Sequence, residues 1–208
     1  MWVIGDSLAG PVGRAIRRIG DPGGLMVTTI DYRSGSGLVS PAFFDWPATV
    51  AERMPQVAPD VTVVILGAND GEPIRAPGGP IPVGTLEWDT AYRIMVNEFM
   101  EQVAAGSGRE YWVGLPAMAK RSYDARVAHF NALFDGLAAV HADVGFIEIY
   151  PLFADESGGY AQALPNEDGV LVTLRTPDGV HYTEAGAERA ARRILDVIAS
   201  DWGVGVGG

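Results

Sequence analysis

The chain has 208 residues, with 15 Lys+Arg against 26 Asp+Glu and a formal charge of −11 at pH 7. A hydrophobic content of 48% suffices for one sizeable core and excludes intrinsic disorder, while an acidic surface without a Lys/Arg cluster excludes nucleic acid as a partner. With no Cys and three histidines (His129, His141 and His181), there is neither a disulfide nor a thiol nucleophile, and no metal or cofactor is expected.

In chain order, short apolar runs alternate with longer amphipathic segments. A strand is predicted over residues 2–4 and a helix over 7–19, then a strand over 26–30. A second helix is predicted over 45–57, with Asp45 as its cap and Pro47 in its first turn. Residues 61–66 read Val-Thr-Val-Val-Ile-Leu, a continuous apolar run suited to a strand covered on both faces. After it come an irregular segment, 71–85, with Pro73, Pro77, Pro80 and Pro82, and a helix over 86–105. A strand over 111–114, a helix over 122–142 and a strand over 144–149 follow. A second irregular segment, 150–180, precedes a last helix over 183–200 that Thr183 caps. Five strand–helix units predict a three-layer α/β/α sandwich of flavodoxin-like size with a five-stranded parallel sheet. Residues 1–202 are expected to form one domain, and 203–208, rich in Gly, a flexible tail. No apolar run approaches the roughly 20 residues of a bilayer span. Met1 leads directly into a buried-strand pattern, so the chain reads as a domain of a longer exported or membrane-anchored protein, with a cytoplasmic protein as the alternative.

Four short motifs fall at strand ends or before the last helix. Ser7 in Gly5-Asp6-Ser7-Leu8 follows the first strand, where a Ser projects from the carboxyl edge of the sheet and its own N–H faces the same crevice. Taken alone, such a Ser is equally an ordinary helix cap. In Asp178-Gly179-Val180-His181, a carboxylate three residues ahead of a His can hold Nδ1 and leave Nε2 free to accept a hydroxyl proton. His129 and His141 sit in helix patterns, which suits structural roles. Asn69 in Gly67-Ala68-Asn69-Asp70 can turn its side-chain NH₂ into the crevice, although Asn-Asp is also a turn signal. Ser34-Gly35-Ser36-Gly37 offers a backbone N–H with no side chain in the way, from Gly37 or, as the second choice, Gly35.

All four motifs, in this order and spanning nearly the whole chain, resemble the blocks of the SGNH superfamily of GDSL-type serine esterases and lipases. The resemblance implies Ser7 as nucleophile, His181 and Asp178 as base and partner, and an oxyanion hole from Ser7, Gly37 and Asn69. The stretches 38–47 and 112–116, with Leu174-Arg175, resemble a bacterial branch catalogued as a domain of unknown function. Related domains act outside the cytoplasm on acyl groups of cell-envelope glycans, sometimes with a membrane acyltransferase partner. What this implies is ester hydrolysis on carbohydrate or cell-envelope glycan, and the few large apolar residues of the Pro-rich segment 71–85 suit a short acyl group, acetyl above all. An O-acyltransferase with the same site and a non-catalytic glycan-binding or docking domain are the alternatives. Arg33 and Arg175 lie nearest the crevice in sequence and are expected in surface salt bridges. Asp6 and Asp70 are expected to fix loops by hydrogen bonding, and Trp46, Tyr92 and Trp112 to pack in the core rather than stack on sugars.

Overall fold

The central strand of the sheet is the most apolar segment of the chain. In the computed structural model, which describes residues 1–24 and 26–204, strand β3 (Val61–Ile65) is buried along its whole length, between β1 (Trp2–Gly5) and β6 (Arg109–Val113). With β2 (Thr29–Tyr32) outside β1 and β7 (Val144–Ile147) outside β6, the order is β2-β1-β3-β6-β7, all parallel. A parallel sheet needs cover on both faces because its strands carry apolar side chains on both. Helices α1 (Ala9–Gly20) and α5 (Glu184–Trp202) pack together as one cover, and α2 (Trp46–Val57), α3 (Leu86–Gly106) and α4 (Arg121–Ala138) pack in sequence as the other. The expected three-layer sandwich is the observed fold.

Side-chain spacing explains the layers. On α4 the buried residues Val127, Phe130, Asn131 and Phe134 recur every three or four positions. Phe130 and Phe134 join Trp88 and Tyr92 of α3 and Trp112 of β6 in one aromatic cluster, with ring centroids 4.8–6.3 Å apart. Trp46, Tyr92 and Trp112 are all buried, so none is a surface stacking platform. The two predicted caps are in place, Asp45 Oδ1 accepting from the Ala48 N–H and Thr183 Oγ1 from the Gly186 N–H.

Several boundaries differ from expectation, each for a local reason. Strand β2 begins at Thr29 rather than residue 26 because Thr28 is tied to α1: Asp21 accepts from its N–H and its hydroxyl, and Arg17 donates to its carbonyl. Helix α1 begins at Ala9 rather than residue 7, since the Asp6 carboxylate takes the Leu8 N–H and holds Ser7 in a turn ahead of the helix. Helix α4 stops at Ala138, four residues early, in a turn in which Val140 and His141 donate to Leu137 and Ala138. The two irregular segments are not plain loops. Segment 71–85 holds an antiparallel hairpin, β4 (Ile74–Ala76) with β5 (Gly79–Ile81), and segment 150–180 holds a 3₁₀ turn, Tyr150–Phe153, and a hairpin of β8 (Ala163–Pro165) with β9 (Leu171–Thr173). Pro80 and Pro165 hid these strands, and both lie in two-stranded ribbons, where a missing N–H is tolerated. Of the proposed tail, Gly203 closes α5 in a left-handed turn and Val204 donates to the Ala199 carbonyl, while 205–208 lie outside the described residues.

The order of connections reverses between β1 and β3: the chain leaves β1 for β2 on one side and then crosses to β3 on the other. Such a switch opens a crevice at the carboxyl ends of the two strands. Gly5 ends β1 there in register with Ile65, so close that a Cβ would collide with the Ile65 carbonyl. Gly5→Ala is therefore expected to lower stability by about 1–3 kcal/mol through overpacking, read as a reduced urea midpoint with an unchanged slope.

Candidate functional site

The crevice is built from the turns that follow β1, β2 and β3, closed on one side by the turn before α5. Ser7 lies in the first turn. Its Oγ is 2.9 Å from Nε2 of His181, and Nδ1 of His181 is 2.7 Å from Asp178 Oδ2. Two residues 174 positions apart in sequence are thus in hydrogen-bond contact, with the carboxylate positioned to set the tautomer. A hydroxyl on one imidazole nitrogen and a carboxylate on the other is an arrangement able to withdraw the serine proton.

Asp178 is held by more than the histidine. Its Oδ1 accepts from Thr176 Oγ1 at 2.7 Å and from the backbone N–H groups of Val180 and His181 at 2.8 and 3.0 Å. The His181 hydrogen bonds, side chain first, then those of Val180 and Thr176, keep this carboxyl well below the usual carboxylate range. Gly179 permits the turn, with φ +72 and its Cα so close to Ala119 that a Cβ would strike that side chain. The side chains of Asp178 and His181 are 51% and 44% exposed, so this half of the site faces solvent.

The opposite half rests on two buried carboxylates, while Ser7 and Asn69 themselves are half-buried. Asp6 is fully buried, and its carboxylate accepts from Leu8 N–H at 2.9 Å and from Ala68 N–H at 3.2 Å, joining the turns after β1 and β3. Asp70, equally buried, accepts from Val39 N–H at 3.0 Å and from Tyr92 Oη at 2.9 Å, joining the turns after β2 and β3 to α3. Both carboxylates fix loops, as expected. Gly37 lies against Asp70, where a Cβ would overlap the carboxylate, whereas Gly35 (φ +78) has the Phe43 ring edge as its nearest neighbour. Asn69 Nδ2 donates to the Ser36 carbonyl at 2.9 Å. That carbonyl shares a rigid peptide plane with the Gly37 N–H, so anchoring one fixes the direction of the other. Ser36 is in turn held by the Trp46 indole, 2.9 Å from its Oγ. Among the described residues, the N–H groups of Ser7 and Gly37 and the second hydrogen of the Asn69 amide have no hydrogen-bond partner.

Further residues complete the site without a signal in the sequence. Tyr123 of α4 donates to the Ala68 carbonyl, and Asn131 pairs with both backbone groups of Leu115, which pins the chain beyond β6. Thr176 could have been found, as a Thr two residues before an Asp is a familiar turn pattern. The two arginines depart from expectation. Arg33 is exposed and lies over the Phe43 ring at 5.5 Å, and Arg175 is wholly buried; neither makes a salt bridge among the described residues. A depression of about 590 Å³, lined by residues including Ser40, Glu72, Arg75 and Pro80, opens beside the turns after β2 and β3. A second, of about 450 Å³, lies at the opposite end of the sheet, near Arg109 and Trp202. Among the described residues no cluster of three or more His, Asp or Glu is arranged to hold a metal ion, and no helix is long and apolar enough to cross a membrane.

Burial raises the Asp6 carboxyl to about 7, with the Asp70 charge adding to the effect against the hydrogen bond from Leu8, and burial raises Asp70 to about 6. In the unfolded chain both titrate near pH 4. Between about pH 4 and 7 the folded protein binds more protons than the unfolded one, so these groups make stability fall as pH rises, by up to about 1.4 kcal/mol per pH unit per proton. Urea unfolding at pH 4, 5, 6 and 7 should show this decline in the wild type. Asp6→Asn, with one of the two titrations removed, should show a shallower slope across the same window.

The fold recurs in solved structures of low sequence identity. A GDSL-like lipase from Bacteroides thetaiotaomicron matches 96% of this chain and 87% of its own with a TM-score of 0.68 at 14% identity. A candidate SGNH hydrolase from Slackia heliotrinireducens matches 95% and 97% with 0.62 at 17%, and a carbohydrate esterase of family 3 from Talaromyces cellulolyticus 98% and 99% with 0.62 at 15%. No curated protein matches the chain. At these identities the likeness establishes the SGNH-hydrolase type of fold. The model of one family matches residues 1–197, almost everything described above, and the chain belongs to that family, described as protein of unknown function (DUF459).

Proposed function

We propose that the protein is a serine esterase that hydrolyses short acyl esters, acetyl in the first place, carried on a hydroxyl-rich molecule such as carbohydrate. The observation that carries this reading is the chain of contacts Ser7 Oγ, His181 Nε2, His181 Nδ1 and Asp178 Oδ2 at 2.9 and 2.7 Å. In this mechanism Ser7 Oγ attacks the ester carbonyl as His181 takes its proton, and Asp178 stabilises the imidazolium. The oxyanion draws on the unpartnered N–H groups of Ser7 and Gly37 and on the second Asn69 N–H. His181 returns the proton to the leaving alcohol, and water then releases the acyl group by the same route.

Two observations bear on the substrate. The depression lined by Ser40, Glu72, Arg75 and Pro80 includes none of the five site residues, but its mainly polar and proline lining suits a hydroxyl-rich alcohol portion extending past the site better than a long acyl chain. The exposure of His181 and Asp178 gives water direct access to the base, which supports hydrolysis over transfer to a second hydroxyl. Transfer has one feature in its favour, the room that the same depression leaves for an acceptor.

The test is hydrolysis of p-nitrophenyl acetate, butyrate and octanoate, with labelling by a serine-reactive phosphonate. The wild type should prefer acetate and take the label on Ser7. Ser7→Ala should abolish both, His181→Ala should reduce turnover by several orders of magnitude, and Asn69→Ala by about 10²–10³ through loss of one oxyanion donor. A preference for octanoate would overturn the short-acyl assignment. A wild type that is inert towards esters and label, with and without added sugar acceptors, would favour the non-catalytic binding domain.

A further inference from the structure

Arg175 is the one cation in the described structure with no accessible surface at all, and no carboxylate lies within ion-pair distance of it. Its guanidinium is enclosed by the rings of Phe153, Tyr160 and Tyr182, at 5.3, 5.6 and 5.1 Å from their centroids. A charge buried without a counter-ion is costly, and an aliphatic side chain would fill such an aromatic pocket at no comparable cost. What the guanidinium does and an aliphatic chain could not is bond three carbonyls. Nη1 donates to Ala117 at 2.6 Å, Nη2 to Val180 and Nε to His181 at 3.4 Å.

The choice of carbonyls points to a role. Those of Val180 and His181 belong to the two peptide groups on either side of the His181 Cα. Fixing both planes fixes φ and ψ of His181, and with them the direction in which its imidazole leaves the backbone. The third carbonyl, from Ala117, anchors this assembly to the segment that follows β6, on which the Asp178–His181 turn also docks through Ala119 N–H to Gly179 O at 3.1 Å. The imidazole itself is nearly half exposed and makes its two side-chain hydrogen bonds at its tips. Two bonds at the tips of an exposed ring leave its placement dependent on the backbone beneath it as well.

We propose that Arg175 is a positioning residue for His181: a buried guanidinium that holds the two peptide planes flanking the histidine and so keeps the imidazole aligned between Asp178 and Ser7. This rests on the catalytic reading above for its consequence in turnover, but the alignment itself has a readout that needs no activity. The Nδ1 proton shared between His181 and Asp178 gives a far-downfield proton NMR resonance when the imidazole is held in place.

The experiment compares wild type with Arg175→Met and Arg175→Lys, each checked for folding by circular dichroism and a cooperative thermal transition. In folded Arg175→Met the downfield resonance should vanish or broaden, and kcat for p-nitrophenyl acetate should fall at least ten-fold while KM stays within two-fold, since substrate contacts are unchanged. Arg175→Lys, which keeps the charge but can reach fewer carbonyls, should fall between. An intact downfield resonance in folded Arg175→Met overturns the assignment, whatever the activity. Should Arg175→Met fail to fold, Arg175→Lys decides alone: a weakened resonance supports the role, and a wild-type resonance overturns it, whatever the activity. If the wild type itself turns over no ester, the catalytic reading fails, and loss or survival of the resonance still settles the positioning role.

Discussion

Two carboxylates taken out of water, Asp6 and Asp70, set the geometry on which the crevice depends. Burying a charged carboxylate opposes folding, and here hydrogen bonds from backbone N–H groups that would otherwise be orphans at strand ends offset that cost only in part, which is why burial still raises both carboxyls. Each acid spans two turns. Asp6 couples the turn carrying Ser7 to the one carrying Asn69, and Asp70 couples the latter to the turn carrying Gly37. The sheet brings the strand ends together through its reversal at β1 and β3, but the acids determine how the turns lie relative to one another. The absence of a side chain at Gly37 follows from the same constraint, since any Cβ there would occupy the position of the Asp70 carboxylate.

The site therefore has two characters. Its donor side is cross-linked from the ends of three strands through the buried carboxylates. Its base side is a single short turn, open to solvent and stiffened by Asp178 accepting four hydrogen bonds from within residues 176–181. For the esterase proposed above, an open turn on a rigid floor would let reagents reach the base while the donors stay preorganised, the combination that electrostatic stabilisation of a developing oxyanion demands.

Much of this was legible in the sequence because periodicity reports burial directly. The run Val61 to Leu66 announces a parallel strand covered on both faces, and Asp45 and Thr183 announce the starts of the helices they cap. The four motifs identified Ser7, Gly37, Asn69, Asp178 and His181 as residues to bring together, and the fold does bring them to one crevice. Arg175 was not legible. A lone Arg near a loop in an acidic protein suggests a surface ion pair, and nothing in one dimension shows that three aromatic rings from residues 153, 160 and 182 close around it. The two hairpins were missed for the opposite reason: strands of three residues are too short to show a period, and the prolines in them signal breaks. The start of β2 was lost to a side-chain contact, Asp21 on Thr28, that overrides local strand preference.

The span between Ser7 and His181 also bears on how the protein folds. Ser7 follows β1 directly, the central partner β3 begins only at Val61, and His181 lies 174 positions beyond the serine. Contacts of such separation carry a large loop-closure cost and are slow to form, so the sheet order alone leaves Ser7 without the imidazole. Only the docking of the turn before α5 supplies it, which makes the Ser7–His181 contact a reporter of complete folding rather than of any local segment.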